Sequence, residues 1–567
     1  MASKLKKDYA KIASKYANDV LDNKILTCQW VKKAIKRNFE DLRRYEKSGA
    51  FFFDPKEGER VCKFIELLTH TKGSLARTRI ILEPWQVWNL FTIFGWRRRS
   101  DSGRRFRRVY IEVPRGNGKS CLSSGVALYC LLADREPGAE VYSFATTRDQ
   151  AKIVFGDAKV MANDNASLKS NFGVEVLANA ITVPRTNSTF QAKSAEGSTL
   201  DGLNTHFACV DELHAHKTRA VYDVVETSLG KRLNSLLWVI TTAGFDTSGI
   251  CYEVRSMVCN VLDRKIEDET QFGVIYSIDP EDDWTTEEAL IKANPNWGVS
   301  VRPEMVTSLQ KKAVALSSAA NNFKTKHLNV WCNAASSWMD MVAWNKCADE
   351  TLSLSDFEGK RCVIGLDLGA KNDITAKVRI FPVDGEDGRQ TFYLFGDYYL
   401  PEDTVRDSTN SQYGGWKEDG LLHVTNGAMT DLNVIEEDIR DDLSRFDVQA
   451  IAYDPWQALQ LVSRLSEDGA PMIEFKNTVQ NLSEPMKTLE ALVKDGRMRH
   501  VGDPVMDWMM SNVVARLDAK DNIFPRKERY ENKIDGPVAS IYALALVLNE
   551  IEDTGDFSEF LDDFIVV

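Results

Sequence analysis

The sequence lacks the features that mark secreted, membrane-spanning and disulfide-rich proteins. Its ten cysteines include no CxxC pair, which argues against a disulfide framework or a zinc site and favours reduced thiols. No stretch approaches the ~20 consecutive apolar residues of a membrane span. The N-terminal residues are basic but contain no apolar segment of the kind found in secretory signals. We therefore expect a cytoplasmic protein that is not secreted and has no membrane partner.

Internal repeats and low-complexity tracts are also absent. The 567 residues are 43% hydrophobic and 27% charged, values typical of a globular chain, which excludes wholesale disorder and a fibrous structure. At roughly 100–200 residues per domain, this length allows about three or four domains, each large enough to bury a core.

The chain as a whole has no excess of positive charge, because its formal net charge is −12. The basic residues are nevertheless clustered: residues 1–50 hold thirteen Lys or Arg against six Asp or Glu, and residues 97–108 hold seven arginines. Clustered arginines are typical of nucleic-acid or polyphosphate contact, and a solvated basic loop is the alternative. Residues 551–567 form an acidic tail without a basic residue. The negative net charge therefore does not exclude DNA binding. We expect contact with DNA to be confined to a few basic surfaces.

Strand-like and helical patterns alternate in the first half of the chain. Strands are predicted at 108–113, 140–146, 206–211 and 236–242. Such alternation predicts a mostly parallel sheet covered by helices on both faces. Residues 173–194 are interpreted as added antiparallel strands.

The second half begins with a helical bridge at about 284–350, in which residues 303–331 read as one long helix. A second α/β pattern starts near residue 360, and it ends in a helix at 536–553. The chain thus divides into two α/β regions joined by a helical segment.

A phosphate loop is predicted at residues 113–120, VPRGNGKS, which departs from the pattern GxxxxGK[ST] only at Val113. A strand precedes the loop and a helix follows it, so backbone N–H groups and the helix N-terminus can cradle phosphates. Lys119 is expected to reach the β- and γ-phosphates, and the Ser120 hydroxyl to bind Mg²⁺. The predicted nucleotide-binding residues of the loop are Arg115, Gly116, Asn117, Gly118, Lys119 and Ser120.

The strand at 206–211 ends in paired acids. Asp211 is the expected second partner of the Mg²⁺ ion, and Glu212 is placed to orient or deprotonate the attacking water. The alternative is that the pair caps the next helix. His214 and His216 follow closely, but no matching set of Cys or His ligands accompanies them, so we expect no metal there.

Three further residues are candidates for nucleotide contact. Thr241 and Thr242 end a strand, where their hydroxyls can sense the γ-phosphate or begin a turn. Gln86 can hydrogen-bond an adenine edge, or it can belong to a helix start.

The strand at 140–146, together with the glutamate beside the magnesium aspartate, indicates a motor-type ATPase. In such motors an arginine of a neighbouring subunit often completes the site, and the sequence does not choose among its candidates. These are Arg148, Arg185, Arg219 and Arg232.

The second half carries three separated carboxylates, Asp367, Asp454 and Asp535, with Asp373 as a fourth candidate. Two follow strands and one begins a helix, and carboxylates are the ligands that Mg²⁺ and Mn²⁺ prefer. Two such ions about 4 Å apart can activate water and stabilise the leaving oxygen of a phosphodiester. The alternatives are a turn at Asp454 and a helix N-cap at Asp535.

Taken together, these motifs resemble the large terminase subunit of tailed bacteriophages. Matching order and spacing extend from about residue 60 to 550. The motifs that carry the resemblance are LEPWQ (82–86), VPRGNGKS (113–120), DGLNTHFACVDELHAH (201–216), ITTAG (240–244), ANPNWG (293–298), HLNVW (327–331), GLDLGAKNDITA (365–376), AYDPW (452–456) and KIDGPVAS (533–540).

The resemblance implies an N-terminal P-loop ATPase of the motor (ASCE) type with a mostly parallel sheet, and a C-terminal ribonuclease H-like α/β nuclease domain. It implies ATP and Mg²⁺ at the first site, with Glu212 as the catalytic glutamate and Thr241–Thr242 as the coupling motif. At the second site it implies two Mg²⁺ or Mn²⁺ ions held by Asp367, Asp454 and Asp535, with Asp373 accessory. The expected domains are a basic helical segment at 1–70, the ATPase at 71–283, a helical linker or lid at 284–355, the nuclease at 356–550 and the tail at 551–567.

By this resemblance the protein is expected to be a packaging motor that hydrolyses ATP to move double-stranded DNA into the procapsid and cuts concatemeric DNA. Its expected partners are double-stranded DNA, a small terminase subunit, the portal protein and further copies of itself in a ring, five in the family. It would work in the cytoplasm of the bacterial host, transiently on the procapsid. The alternatives are a helicase-like DNA translocase whose second domain binds but does not cut nucleic acid, and an adaptor with decayed sites.

Overall fold

The computed structural model describes residues 7–146, 148–194, 202–247, 249–332, 338–369, 373–385, 388–408, 410, 412–455, 459–518, 521–528 and 531–552. The chain divides into two compact units, one of Met1–Ala315 with Asn322–Cys332, the other of Leu316–Asn321 with Asn333–Val567. Within the described residues, no helix combines the length and apolarity that crossing a membrane requires. Nearly all of the predicted tail at 551–567 lies outside the described residues, and the finer domain boundaries stay a prediction.

The first unit is built from short strands alternating with helices. Its strands are β1 (Phe51–Phe53), β2 (Trp96–Arg98), β3 (Arg108–Glu112), β4 (Glu140–Ala145), β5 (Glu175–Val176), β6 (Ala180–Val183), β7 (Ser188–Ser194), β8 (Thr205–Asp211), β9 (Leu236–Thr241) and β10 (Gln271–Ile275). Its helices are α1 (Tyr9–Leu21), α2 (Gln29–Arg44), α3 (Pro55–Ile65), α4 (Pro84–Gly95), α5 (Lys119–Leu132), α6 (Arg148–Asn163), α7 (Ala166–Phe172), α8 (Ala220–Ser228), α9 (Ile250–Leu262), α10 (Glu287–Ala293) and α11 (Pro303–Ala315), and α12 (Ser317–Phe323) spans the division between the units.

Eight of these strands form one sheet in the order β10-β3-β9-β8-β4-β7-β6-β5, and β1 and β2 pair separately. The pairs from β10 to β7 are parallel, whereas β6 pairs antiparallel with both β7 and β5. The prediction of a mostly parallel sheet is confirmed, and so are the antiparallel strands of the insert. Because parallel strands end at the same edge, this order brings the ends of β3, β9 and β8 side by side.

The prediction of a single helix at 303–331 is wrong. The structure breaks it into α11, α12 and a π-helix at Lys324–Leu328. The carbonyl of Lys326 accepts a hydrogen bond from the N–H of Arg115 at 3.0 Å, and Asn329 ends the helix with a left-handed backbone (φ 61°). A long-range contact with the phosphate loop therefore shapes this segment, and helical periodicity does not reveal such a contact.

Neither alternative for arginines 97–108, nucleic-acid contact or a solvated basic loop, is correct, because most of these side chains are buried or half-buried. Arg104 and Arg105 are fully buried; Arg104 pairs with Asp134 at 2.7 Å, and Arg105 pairs with Asp41 at 2.8 Å. Only Arg99 of the seven arginines is exposed. The run is an internal ion-pair network that ties α2 to the sheet, and a buried guanidinium needs such partners.

The second unit contains β11 (Arg361–Asp367), β12 (Thr375–Asp384), β13 (Gln390–Pro401), β14 (His423–Thr425), β15 (Asp447–Tyr453), β16 (Met472–Glu474), β17 (Met498–His500), β18 (Val513–Leu517) and β19 (Ile523–Lys527). Its helices are α13 (Met341–Lys346), α14 (Glu402–Asp407), α15 (Gln412–Glu418), α16 (Leu432–Arg445), α17 (Leu459–Glu467), α18 (Val479–Lys494), α19 (Pro504–Asn512) and α20 (Asp535–Glu552).

Seven of these strands form a mixed sheet in the order β14-β13-β12-β11-β15-β16, with β17 beside β13, and β18 and β19 pair separately. The central strands β11 and β15 are parallel, and α20 packs against β11. Gly365 permits that packing, because a Cβ atom there would lie 2.0 Å from the carbonyl oxygen of Ala539. The close approach places the start of α20 near the end of β11.

Candidate active sites

The predicted phosphate loop connects β3 to α5. Gly116 and Gly118 adopt left-handed backbone conformations (φ 88° and 75°), which glycine accepts without steric cost. Gly118 directly precedes the first turn of α5, so the free N–H groups of that turn line the loop. The local geometry is that of an anion-binding loop at a helix N-terminus.

Asn117 holds the loop in place through its side chain. Its amide donates to the carbonyl oxygen of Pro114 (3.1 Å) and to Oδ1 of Asn294 (3.0 Å), and its own oxygen accepts the N–H of Asn296 (3.0 Å). The loop is therefore tied to the segment after α10. Arg115 is exposed, and its N–H is the group that bonds Lys326.

Lys119 is a buried cation at the mouth of the loop. It is 8% exposed and donates to the carbonyl oxygens of Val113 (3.1 Å) and Pro114 (3.4 Å). Its ammonium lies 3.9 Å from Glu212, and burial lowers the pKa of Lys119. The carbonyl contacts give the ammonium a fixed place beside the loop.

Asp211 and Ser120 meet at the end of β8. The Ser120 hydroxyl donates to Oδ2 of Asp211 at 3.5 Å. The other carboxylate oxygen, Oδ1, is buried and has no hydrogen-bond partner in the described part of the chain. Burial, and then the charge of Glu212, raise the pKa of Asp211 to about 7. An unpaired buried carboxylate oxygen beside a hydroxyl fits the ligand set of Mg²⁺.

Glu212 follows with a left-handed backbone (φ 51°), a conformation that costs a non-glycine residue about 1 kcal/mol or more and is concentrated at functional sites. Burial opposes its charge, but contact with His214 and the ammonium of Lys119 hold the pKa of Glu212 at about 2. The carboxylate is therefore ionised and able to accept a hydrogen bond from water.

Thr241 and Thr242 are fully buried at the end of β9, which lies next to β8. The Thr241 hydroxyl donates to the carbonyl oxygen of Thr242 at 2.9 Å. The N–H of Ala243 donates to Oδ1 of Asn329 at 2.7 Å. The threonine pair thus lies between the paired acids and the segment that follows the π-helix.

Gln86 belongs to a helix start, the second of its two predicted alternatives. Its Oε1 accepts the N–H of Glu83 (3.0 Å) in a capping box that starts α4. It also lines a cavity of about 730 Å³ whose wall includes Gly118, Cys121 and Asn296. The cavity adjoins the phosphate loop, so the predicted adenine contact is sterically open and stays a prediction.

The arginines considered for a neighbouring site differ in their surroundings. Arg232 pairs with Glu136 at 2.9 Å and bonds nearby carbonyl groups, and Arg219 pairs with Asp223 at 2.8 Å. Arg185 is exposed, and the side chain of Arg148 lies outside the described part of the structure. Arg232 holds its own unit together, which makes it the weakest candidate.

The second acid cluster forms where β11, β15 and α20 meet. Leu366 and Tyr453 are partners in the parallel pairing of β11 with β15, so Asp367 and Asp454 lie at neighbouring strand ends. Asp535 is the first residue of α20 and is 9% exposed. Its Oδ2 atom is buried and has no hydrogen-bond partner among the described residues, as expected of a group suited to a cation.

These carboxyl groups lie close enough to one another for their charges to contribute to the raised pKa of Asp367 and of Asp535. Burial, followed by Asp535, Asp454 and Asp373, raises the pKa of Asp367 well above its usual value. Burial and then Asp373 raise the pKa of Asp535 to about 6. Among the described residues, no three of these groups have carboxylate oxygens that all lie within 4.8 Å of one another. The structure brings the acids together without closing them into a ligand set, and a divalent cation would offset their repulsion.

Asp373 differs from the other three acids because lysines surround it. Its Oδ1 accepts a hydrogen bond from Lys527 at 3.1 Å and another from Lys533. Burial opposes its charge, but Lys533 and Lys527 lower the pKa of Asp373. These lysines were not singled out from the sequence, although Lys533 stands only two positions before Asp535.

A family model described as terminase large subunit, ATPase domain, matches residues 84–259, and one described as terminase large subunit, endonuclease domain, matches residues 265–550. Protein YmfN of Escherichia coli (strain K12) is 38% identical over 365 residues, which cover 62% of this chain and 80% of that relative.

The large terminase subunit of Enterobacteria phage HK97 is 27% identical over 515 residues, covering 89% of this chain and 98% of that relative. The crystal structure of the HK97 bacteriophage large terminase aligns with a TM-score of 0.43 and 26% identity, covering 86% of this chain and 99% of that one.

Proposed function

The chain belongs to the terminase large subunit family, and we propose that it is a packaging motor that drives double-stranded DNA into a procapsid with ATP and cuts concatemeric DNA. Members of this family carry an ATPase and an endonuclease domain, and both are present here. The observation that carries the proposal is that both predicted acid clusters assemble in one chain. Each cluster contains a buried carboxylate oxygen, Oδ1 of Asp211 or Oδ2 of Asp535, that has no hydrogen-bond partner among the residues that the structure describes.

In the first unit, Gly116, Gly118 and the start of α5 would bind the phosphates of ATP, with Lys119 beside them. Ser120 and Asp211 would hold a Mg²⁺ ion, which offsets phosphate charge when bound. Glu212 accepts a hydrogen bond from the attacking water and orients it, because its low pKa keeps the carboxylate ionised.

The purine base would enter the cavity of about 730 Å³ beside Gln86. Thr241 and Thr242 would respond to the state of the phosphates, because the end of β9 lies between the ends of β3 and β8. The capping box already uses Oε1 of Gln86, which leaves its Nε2 for a base contact.

In the second unit, Asp367, Asp454 and Asp535 would hold two Mg²⁺ or Mn²⁺ ions, with Asp373 accessory. Such a pair of ions activates water and stabilises the leaving oxygen of a phosphodiester when bound. Lys527 and Lys533 neutralise Asp373, so they limit the repulsion between this site and a DNA backbone.

The proposed partners are double-stranded DNA, a small terminase subunit, the portal protein and further copies of the chain in a pentameric ring. Work in the cytoplasm of a bacterial host and transient residence on the procapsid belong to the same proposal. The exposed lysines and arginines of α1 and α2, among them Lys11, Lys15, Lys36 and Arg43, are the more suitable DNA contact because the arginines at 97–108 are mostly paired internally.

Packaging is tested by mixing the chain with the small subunit, portal-bearing procapsids, linear DNA and ATP, and measuring DNA protected from DNase. We expect ATP-dependent protection that Lys119→Ala removes and Lys311→Ala, an exposed lysine on α11, retains. Absence of protection with the unchanged protein, or protection that survives Lys119→Ala, would contradict the proposal.

A further inference from the structure

His214 lies in a short 3₁₀ turn, Leu213–Ala215, directly after the paired acids. Its Nδ1 atom is surrounded by three oxygens: Oε2 of Glu212 at 3.1 Å, Oγ1 of Thr241 at 3.2 Å and Oγ1 of Thr242 at 3.3 Å. Its backbone N–H also donates to the Thr241 hydroxyl at 3.2 Å. One imidazole nitrogen therefore joins the ends of β8 and β9.

The opposite ring nitrogen has a different partner. Nζ of Lys326 lies 3.4 Å from Nε2 of His214, and an ammonium group can only donate. Nε2 must then accept, which assigns the ring proton to Nδ1 in the neutral imidazole. The Nδ1–H group faces oxygens that can accept it, including the ionised carboxylate of Glu212.

The carboxylate of Glu212 needs a neighbouring group that restrains its orientation. Its Oε2 atom is buried and has no aligned hydrogen bond in the described part of the chain, and Lys119 lies 3.9 Å from Oε1. The His214 ring limits the rotation of the carboxylate. A small displacement of a group that orients water can cost about 100-fold in rate.

We propose that His214 is a positioning residue of the ATPase site: its Nδ1 side hydrogen-bonds the threonine pair and lies against the Glu212 carboxylate at 3.1 Å, which keeps these groups in one arrangement, and its Nε2 atom links them to Lys326. This inference rests on the ATPase function proposed above. Lys326 belongs to the π-helix whose carbonyl bonds Arg115, so the imidazole connects the phosphate loop, the catalytic glutamate and the end of β9. His214 does not take the role of a metal ligand in this arrangement.

The test compares three substitutions in the full chain by steady-state ATP hydrolysis and by binding of a non-hydrolysable ATP analogue. His214→Asn places an amide N–H near the position of Nδ1, His214→Gln places one near Nε2, and His214→Ala provides neither. We expect kcat to fall about 10- to 100-fold for the Gln and Ala variants, with KM and analogue binding nearly unchanged, and the Asn variant to recover most of kcat. His423→Asn, at an exposed histidine on β14, is the matched control and should leave turnover unchanged.

Each remaining outcome is decisive. Wild-type kcat in His214→Ala, rescue by Gln in place of Asn, or loss of analogue binding in all three variants would overturn the positioning role while leaving the ATPase assignment intact. An unchanged protein that binds the analogue but does not hydrolyse ATP would overturn the proposed function, and this inference with it.

Discussion

The two units hold their buried acids in opposite ways. In the first unit the pKa values of the paired acids are shifted apart: that of Asp211 is raised to about 7 and that of Glu212 is lowered to about 2. In the second unit burial and mutual repulsion raise the pKa of both Asp367 and Asp535. The neighbours of the acids make the difference: His214 and the ammonium of Lys119 contact Glu212, whereas Lys527 and Lys533 of the second site pair with Asp373.

This contrast indicates different dependence on divalent metal. The first unit balances part of its negative charge internally, so its fold and its nucleotide site are expected to persist without metal. The second unit accumulates carboxylates whose mutual repulsion a bound divalent cation would offset.

Removing a carboxylate from the second cluster should abolish DNA cleavage without affecting ATP hydrolysis. Asp367→Asn should lower metal-dependent plasmid cleavage by roughly 10³-fold or more, because a metal ion contributes several kcal/mol to such reactions. ATP turnover should change little. Agarose-gel assays of plasmid cleavage with Mg²⁺ or Mn²⁺ measure the first quantity, and phosphate release measures the second.

Removing the catalytic charge of the first cluster should have the reciprocal effect. Glu212→Gln keeps the shape of the side chain but weakens its acceptor, and we expect ATP turnover to fall about 10²- to 10³-fold. Nucleotide binding and plasmid cleavage should be retained. A variant that binds ATP poorly would show that Glu212 shapes the site and does not orient water.

The smallest effect is on stability. Between the unfolded pKa of an aspartate, about 4, and the folded value of about 6 for Asp535, the folded state binds more protons. The free energy of unfolding therefore falls as pH rises through this window, and the loss persists above it. In EDTA at about pH 7.5, Asp535→Asn should raise stability by on the order of 1–3 kcal/mol, a melting increase of several degrees. At about pH 4 the gain should be small.

Asp373→Asn is the matched control for that measurement. It removes the acceptor shared by Lys527 and Lys533, so it should leave stability unchanged or lower it in the same buffer. An equal stabilisation by both substitutions would contradict the contrast between the repelling acids and the paired one.

The sequence was sufficient for features that depend on local pattern. β3, β4, β8 and β9 lie within one residue of their predicted ends, and the loop at 113–120 joins a strand to a helix as predicted. Strand alternation and the glycine-rich turn are signals carried by neighbouring residues. The order of the sheet then follows from the rules of parallel topology.

Features that depend on distant partners were not predicted. The arginines at 97–108 look like a basic surface until Asp41 and Asp134, far away in the sequence, pair with Arg105 and Arg104. His214 stands among predicted site residues, but Lys326, its partner on the π-helix, lies more than one hundred positions away. Neighbouring residues carry no signal for such partners, so only the folded arrangement shows them.

The account is tested most directly by measuring plasmid cleavage and ATP turnover side by side for the unchanged protein, Asp367→Asn and Glu212→Gln. We predict both activities in the unchanged protein, turnover alone in Asp367→Asn, cleavage alone in Glu212→Gln, and neither activity in EDTA. Cleavage that persists in Asp367→Asn, or the loss of both activities in either variant, would contradict two independent sites in one chain.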